Sequence, residues 1–318
     1  MNRPFGLPPR RFWRDKQFWI DNAHAVLALS TYLLLLFSRL IDTAVLGRDN
    51  EYLSIVMLQV MIFLIPGVIF CKLRGSTFTE RLRLHLPRPS HILLLIAALI
   101  ALISGTLLIS IYTGGIKTLE QGFTLYDTFS AGGGTDFSEV TYLILAYAAL
   151  PAICEEFVYR GILCATLEER GLLPAVLYSA VSFGMLHFEL SHLPVYIFAG
   201  LLLCALMYAT RSLIATAIVH FAFNLFGLFG QPALTQFYLY TGSSELFSFL
   251  LMVIFLLAAI LFCGEAGRIY RGYAKGAESA PHRVDLPKSE RSQRVLHTVF
   301  SPVSIVCMVV YLLACLFI

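Results

Sequence analysis

Two adjacent carboxylates and a guanidinium lie inside an apolar stretch, in the segment Cys-Glu-Glu-Phe-Val-Tyr-Arg at residues 154–160. Moving a charged side chain to the centre of a bilayer costs about 2.5–3.5 kcal/mol on insertion scales, so three such groups require a reason. On a helix, Glu156 and Arg160 share one face and can neutralise each other, whereas Glu155 points about 100° away. Glu155 is therefore a candidate acid or base, and Glu156 with Arg160 a candidate brace.

Two further polar motifs interrupt apolar stretches that follow in the chain. Phe183 precedes His187 by one helical turn in the first, and His220 precedes Asn224 by the same spacing in the second. A carboxylate, two imidazoles and a carboxamide supply a base, a proton shuttle and hydrogen-bond donors for an oxyanion. Together they make a functional site more plausible than three unrelated polar positions.

The three motifs are predicted to lie at a similar depth in the membrane. Counting from the predicted cytoplasmic helix ends, Glu155, His187 and the pair His220–Asn224 lie roughly 16, 18 and 12–18 Å deep. A lone histidine or asparagine in a membrane helix more often joins two helices by a hydrogen bond than takes part in catalysis. The shared depth favours one functional site over separate structural roles.

The elements that carry these motifs are predicted to be membrane helices. Of the 318 residues, 58% are hydrophobic and 14% charged, against roughly 45–50% and 25% in soluble domains. The predicted fold is all-α, a polytopic transmembrane bundle of about eight core helices plus a C-terminal extra span. The spans are predicted at residues 19–40, 52–71, 91–113, 140–164, 175–190, 194–209, 212–230, 246–263 and 298–318.

The charges predict how the chain is organised and oriented. Most of the 23 Lys and Arg residues fall in segments that are cytoplasmic if the N-terminus is inside, which predicts a multi-pass protein of the plasma membrane with a cytoplasmic N-terminus. We divide the chain into a basic N-terminus (1–18), a helical bundle (19–263, motif core 140–230), a basic cytoplasmic linker (264–297) and a last helix (298–318). That last helix is expected to be an appendage to the bundle, and residues 114–139, with three successive glycines, are expected to form an external loop.

The motifs, in this order and spacing, resemble those of the CPBP family of intramembrane CAAX proteases and bacteriocin-processing enzymes, also called ABI or Rce1-like. They are EExxxR at 155–160, FxxxH at 183–187 and HxxxN at 220–224, and the run 212–216 before the third motif is also similar. The resemblance covers about residues 140–230. It implies hydrolysis of peptide bonds within the membrane.

The resemblance also implies a role for each residue. Glu155 would activate water as the general base with help from His187, while His220 and Asn224 would stabilise the oxyanion. The other motif residues, Glu156, Arg160 and Phe183, would support the site.

A metal is an alternative to this mechanism, because Glu155, His187 and His220 could supply an open three-ligand zinc site. We favour a metal-free mechanism, since Asn224 is a poor zinc ligand and a good oxyanion donor, and no His-Glu-x-x-His motif occurs. No cofactor is therefore expected, with zinc as the alternative. The expected partners are membrane lipids and a membrane-associated peptide or protein substrate, and no nucleic acid.

Two other functions fit the residues less well. A bacteriocin-immunity or membrane scaffold protein could use the same fold without proteolysis. Buried Glu and His sets also mark proton paths in transporters, but transporters more often have broken helices or inverted repeats, and the sequence has neither signal.

Overall fold

The computed structural model describes residues 16–45, 56–114, 137–273 and 288–317. Within these ranges the regular elements are helices and no strand occurs, so the all-α prediction is confirmed. The first fifteen residues, the predicted external loop between 115 and 136, and the part of the predicted linker between 274 and 287 lie outside the described residues.

Eleven of the helices in the described ranges build the bundle, and we label them in chain order. They are α1 (Ala23–Val45), α2 (Val56–Arg74), α3 (Ile92–Gly114), α4 (Val140–Arg170), α5 (Leu172–Met185), α6 (Leu193–Thr210), α7 (Leu213–Phe229), α8 (Gln231–Thr241), α9 (Ser244–Gly272), α10 (Lys288–Val299) and α11 (Pro302–Phe317).

The protein is a multi-pass membrane protein by the length and composition of these helices. In the described part of the chain, five are long and apolar enough to cross a bilayer, and up to seven spans result if α7–α8 and α10–α11 each count as one bent span. The apolar part of α1 and the whole of α5 are shorter. Each of the nine predicted spans overlaps one of these helices, but the number that can cross a bilayer by length and composition is five to seven in the described residues rather than nine.

Several helix ends differ from the predicted boundaries, among them those of α5 and α9. Helix α5 ends at Met185, before the predicted residue 190, because the chain turns through Phe188, whose φ of 51° is left-handed. Helix α9 continues to Gly272, beyond the predicted residue 263. Its polar end is held where Arg268 donates to Glu265 and to the backbone carbonyl of Ser90, at 2.6 and 2.7 Å.

Close contact between α5 and α6 fixes the position of the second motif. A Cβ atom added to Gly200 of α6 would lie 2.8 Å from Cα of Ala180 in α5, closer than carbon atoms pack. The glycine therefore permits the two backbones to touch, as small residues do in membrane helix pairs. This contact lies one turn from Phe183.

The start of α7 is hydrogen-bonded to the connection between α2 and α3. Ser212 caps the helix by accepting a hydrogen bond from the backbone N–H of Ala215 at 3.1 Å, and its hydroxyl donates to the carbonyl of His85. The N–H of Leu213 donates to the carbonyl of Arg83 at 3.0 Å. These bonds anchor the N-terminal end of the helix that carries His220.

The last helix is part of the bundle, which differs from the expectation of an appendage. Helix α11 packs along α1, where the thiol of Cys307 faces the carbonyl of Ala25 at 3.5 Å. Cys307 and Tyr311 are buried, and Ser304 donates to the hydroxyl of Tyr178 in α5 at 3.4 Å. One face of α11 is buried against the bundle and the other faces lipid, and both are largely apolar. Hydropathy alone therefore does not predict this packing.

Candidate active site

The two glutamates lie on a part of α4 where the helix changes its hydrogen-bonding pattern. The α-helical segment Leu150–Glu156 stands between two π-helical segments, Leu145–Ala149 and Phe157–Leu163. Pro151 has no N–H to complete the turn before it, which explains the first departure from α-helix. Segments of π-helix are rare and are frequent at functional sites.

Glu156 and Arg160 form a fully buried ion pair. The guanidinium Nη1 donates to Oε1 of Glu156 at 2.6 Å, and neither side chain is exposed. The guanidinium also lies over the ring of Phe183, with its carbon 4.1 Å from the ring centroid. A buried charge is tolerated when it is paired and hydrogen-bonded, and a cation over an aromatic face adds further stabilisation.

His220 lies between the two glutamates and contacts each through a different ring nitrogen. Its Nδ1 is 2.8 Å from Oε1 of Glu156, and its Nε2 is 3.9 Å from Oε2 of Glu155. Since Oε1 of Glu156 already accepts from Arg160, we assign Nδ1–H of His220 as a second donor to the same oxygen. Nε2 is thereby directed towards Glu155.

The two glutamates differ in access as well as in partners. Glu155 retains 8% of its surface, while Glu156 retains none. The distance between Glu155 and His220 is longer than a hydrogen bond. Glu155 is thus the carboxylate whose oxygen is accessible and not already held by a cation.

Phe183 is the contact that joins the three motifs. Its ring meets the imidazoles of His187 and His220 edge to face, with centroids 5.3 and 5.8 Å apart. Tyr159 of α4 packs on the same ring at 5.6 Å. His187 therefore reaches the site beside Phe183, and its Nδ1 faces the carbonyl of that residue at 3.2 Å.

Asn224 lies one turn beyond His220 on the half-buried side of α7. Its Nδ2 donates to the carbonyl of Ala148 in the first π-helical segment of α4 at 3.4 Å. This is a long hydrogen bond that a better acceptor can replace. The carboxamide therefore presents a donor to the space between α4 and α7.

The residues of the alternative zinc site do not form a ligand set in this arrangement. Across the described residues, no three side chains of His, Cys, Asp or Glu are grouped closely enough to hold a metal ion. Glu155 and His220 face each other, but the ring of His187 lies against Tyr196 of α6. The described residues therefore lack the three protein ligands that hold zinc in hydrolases.

Three features of the site were not predicted from the sequence. The π-helical segments of α4, the bond between His220 and Glu156, and the stacking of Tyr196 on His187 all depend on how helices pack. Pro151 within an apolar helix is the one local signal, and it points only to the first π-helical segment.

Comparison with known families identifies the part of the chain that holds this site. Residues 137–226 match the family model described as type II CAAX prenyl endopeptidase Rce1-like. The matched range includes all seven motif residues and helices α4 to α6 with most of α7. No curated protein and no solved structure matches the chain.

Proposed function

Because residues 137–226 match the model of the Rce1-like family of CAAX proteases, we propose that the protein is an intramembrane endopeptidase in which Glu155 activates the attacking water. The family is one of membrane-embedded proteases, and the helices of the chain are those of a multi-pass membrane protein. The identity of the base, the other residue roles and the substrate are the proposed part.

The observation that carries the proposal is that the two glutamate carboxylates have different partners. Glu156 is occupied by Arg160 and His220, whereas Glu155 faces Nε2 of His220 across 3.9 Å. One water molecule can hydrogen-bond to both atoms across such a gap, since each bond is about 2.8 Å long. A water held there has a carboxylate ready to accept its proton.

Hydrolysis then proceeds in two steps. Glu155 takes a proton from the water as the water oxygen bonds to the scissile carbonyl carbon, and the carbonyl oxygen becomes an oxyanion. The carboxamide of Asn224 and the imidazole of His220 stabilise this oxyanion. The C–N bond breaks as Glu155 returns the proton to the leaving nitrogen, and the second product is a carboxylic acid.

The remaining motif residues hold these groups in place. Glu156 and Arg160 fix His220 through its Nδ1, and Phe183 separates the two imidazoles. His187 assists Glu155 from the far side of Phe183 by exchanging a proton through water. Misplacing such groups by about 1 Å can cost a factor of a hundred in rate, so this support is part of the mechanism.

The substrate class follows from where the site lies. A site between helices α4, α5 and α7 is reached from the lipid or from the membrane surface, so the substrate is a membrane-associated or lipidated peptide or protein. We propose that the protein works in the plasma membrane with its N-terminus in the cytoplasm, where Lys and Arg concentrate. No cofactor is needed for this reaction.

The experiment is comparative membrane proteomics on cells that carry wild type, Glu155→Gln or the control Glu245→Gln, which changes an exposed carboxylate in the first turn of α9. We expect peptides with new termini in wild type and the control and none in Glu155→Gln. Identical termini in all three would contradict the protease proposal. If a bacteriocin-resistance phenotype also survived Glu155→Gln, the immunity or scaffold function would replace it.

A second assay tests the substrate class. Purified protein in proteoliposomes is given a CAAX peptide with and without a prenyl group, since the family description names prenyl endopeptidases. Cleavage of the prenylated peptide alone would narrow the substrate to prenylated proteins. Cleavage of neither would direct the search to the peptides found by proteomics.

A further inference from the structure

The imidazole of His187 is held flat against the ring of Tyr196. The ring centroids are 3.7 Å apart and the planes differ by 7°, which is a full stack. The second restraint on His187 is the contact of its Nδ1 with the carbonyl of Phe183 at 3.2 Å. The stack fixes the plane of the imidazole and the hydrogen bond fixes its rotation, which leaves Nε2 as the nitrogen available to water.

Tyr196 is itself held by an acidic residue that the motifs do not include. Its hydroxyl donates to Oε2 of Glu189 at 3.3 Å. The other oxygen of Glu189 contacts Nδ1 of His192 and accepts a hydrogen bond from the hydroxyl of Ser191 at 3.2 Å. Both Glu189 oxygens are therefore engaged within the turn that joins α5 to α6, and the Tyr196 ring is tied to that turn.

The turn is held from the other side by the last helix. Phe188 has a left-handed φ of 51°, which costs energy in a bulky residue and persists only where its surroundings hold it. Its ring packs between Tyr32 and Tyr311, with centroids 5.8 and 6.3 Å away. The hydroxyl of Tyr311 donates to the carbonyl of Glu189 at 3.2 Å, so α11 contacts the residue that holds Tyr196.

We propose that Tyr196 is a positioning residue that holds the imidazole of His187 for catalysis, and that Glu189, held by Tyr311, keeps Tyr196 in place. This inference rests on the proposed function, because it assumes that His187 assists the base. Helix α11 lies outside the residues matched by the family model. The proposal connects this helix to the site, because Tyr311 holds Glu189. Glu189 in turn holds Tyr196, which stacks on His187.

The test uses three single variants on a peptide that wild type cleaves. Tyr196→Leu removes the planar surface and is expected to lower kcat about ten- to a hundredfold with KM little changed, because the imidazole becomes misplaced. Tyr196→Phe keeps the stacking ring but loses the hydroxyl that bonds to Glu189, so its kcat should fall only about two- to fivefold. The control Phe198→Leu removes a ring on the same helix that packs on Phe255, and its kcat should equal that of wild type.

A double-mutant cycle separates positioning from a general loss of structure. In a His187→Ala background, Tyr196→Leu should cause no further loss in single-turnover rate, since the group it positions is absent. An equal fold-loss in both backgrounds, or a wild-type kcat for Tyr196→Leu, would overturn the proposal. Melting temperatures are measured for each variant, and Tyr196→Met replaces Tyr196→Leu if the latter does not fold.

The two proposals fail in different ways. If Glu155→Gln still cleaves the peptide, the proposed function is wrong whatever Tyr196 does. If Glu155→Gln is inactive and Tyr196→Leu is as active as wild type, only the role of Tyr196 is wrong.

Discussion

At the scale of single residues, the site is built from two neighbouring glutamates with opposite surroundings. Glu156 is unexposed and bound by Arg160 and His220, while Glu155 keeps some access and faces Nε2 of His220. The first is suited to hold other groups and the second to accept a proton. Their substitutions should therefore have separable effects on stability and on rate.

Glu156→Gln is expected to lower the free energy of unfolding by about 3–5 kcal/mol, because it leaves the guanidinium of Arg160 buried without a counter-charge. The control Glu265→Gln breaks a partly exposed pair with Arg268 and should cost about 0–1 kcal/mol. Denaturant unfolding in detergent micelles measures both. Equal effects of the two substitutions would show that the buried pair has no special part in stability.

Asn224→Ala is expected to lower kcat by about 10²–10³-fold with KM little changed, because it removes an oxyanion donor. Asn224→Asp should not rescue the rate, since a carboxylate has no N–H to donate and repels the oxyanion. Steady-state kinetics on a cleaved peptide measure both variants. A wild-type kcat in Asn224→Ala would remove this residue from the mechanism.

Treating the purified protein with a zinc chelator is expected to leave the cleavage rate unchanged, because the site offers two rather than three candidate ligands. The chelated protein is assayed and its metal content measured. Loss of cleavage that is restored by added zinc would contradict the metal-free mechanism.

The sequence predicted part of this residue-scale picture. The spacing of Glu156 and Arg160 predicted their pairing, because helix geometry alone brings such residues together. It did not predict that His220 would bridge the two glutamates or that Tyr196 would lie on His187. Those contacts join residues far apart in the chain and depend on how helices rotate and pack.

At the scale of elements, the contact between α5 and α6 places both Phe183 and the turn that carries Glu189. Its closest point is Gly200 against Ala180. The sequence predicted both helices but placed the end of α5 at residue 190 instead of Met185, because the left-handed turn at Phe188 is held by rings from α1 and α11. These contacts come from helices far away in the chain, so the sequence around Phe188 does not reveal them.

Gly200→Ala is expected to lower both the melting temperature and kcat, because the new Cβ would lie 2.8 Å from Cα of Ala180 and force the helices apart. The control Gly264→Ala adds the same methyl group to α9, where no atom lies within 4 Å. It should leave the protein as stable as wild type or slightly more stable. A thermal melt and a cleavage assay of both variants test this expectation. Equal melting temperatures for Gly200→Ala and Gly264→Ala would contradict the close packing of α5 and α6.

At the scale of the whole molecule, the C-terminal helices complete the bundle. The sequence predicted the helical class and the regions of the spans, because hydropathy decides which segments can cross a bilayer. It did not predict that α11 packs on α1 and α5, since packing between apolar helices in lipid depends on shape rather than on hydropathy.

Deleting residues 288–318 is expected to lower the melting temperature and the cleavage rate together, because it exposes the buried faces of α1 and α5 and releases the turn at Glu189. The matched variant Tyr311→Phe keeps the helix and removes only the hydroxyl that holds this turn, so it should lower the rate much less. If the deleted protein kept full activity and the wild-type melting temperature, α11 would be an appendage to the bundle after all.

The most direct test of the central claim is the single-turnover cleavage rate of Glu155→Gln in proteoliposomes, on a peptide identified by its new terminus in wild-type cells. The substitution keeps the shape of the side chain and removes the group that accepts the proton. We predict a rate at least about a hundredfold below wild type, as for the loss of a general base, with an unchanged melting temperature. A rate within twofold of wild type at the same melting temperature would show that Glu155 is not the base.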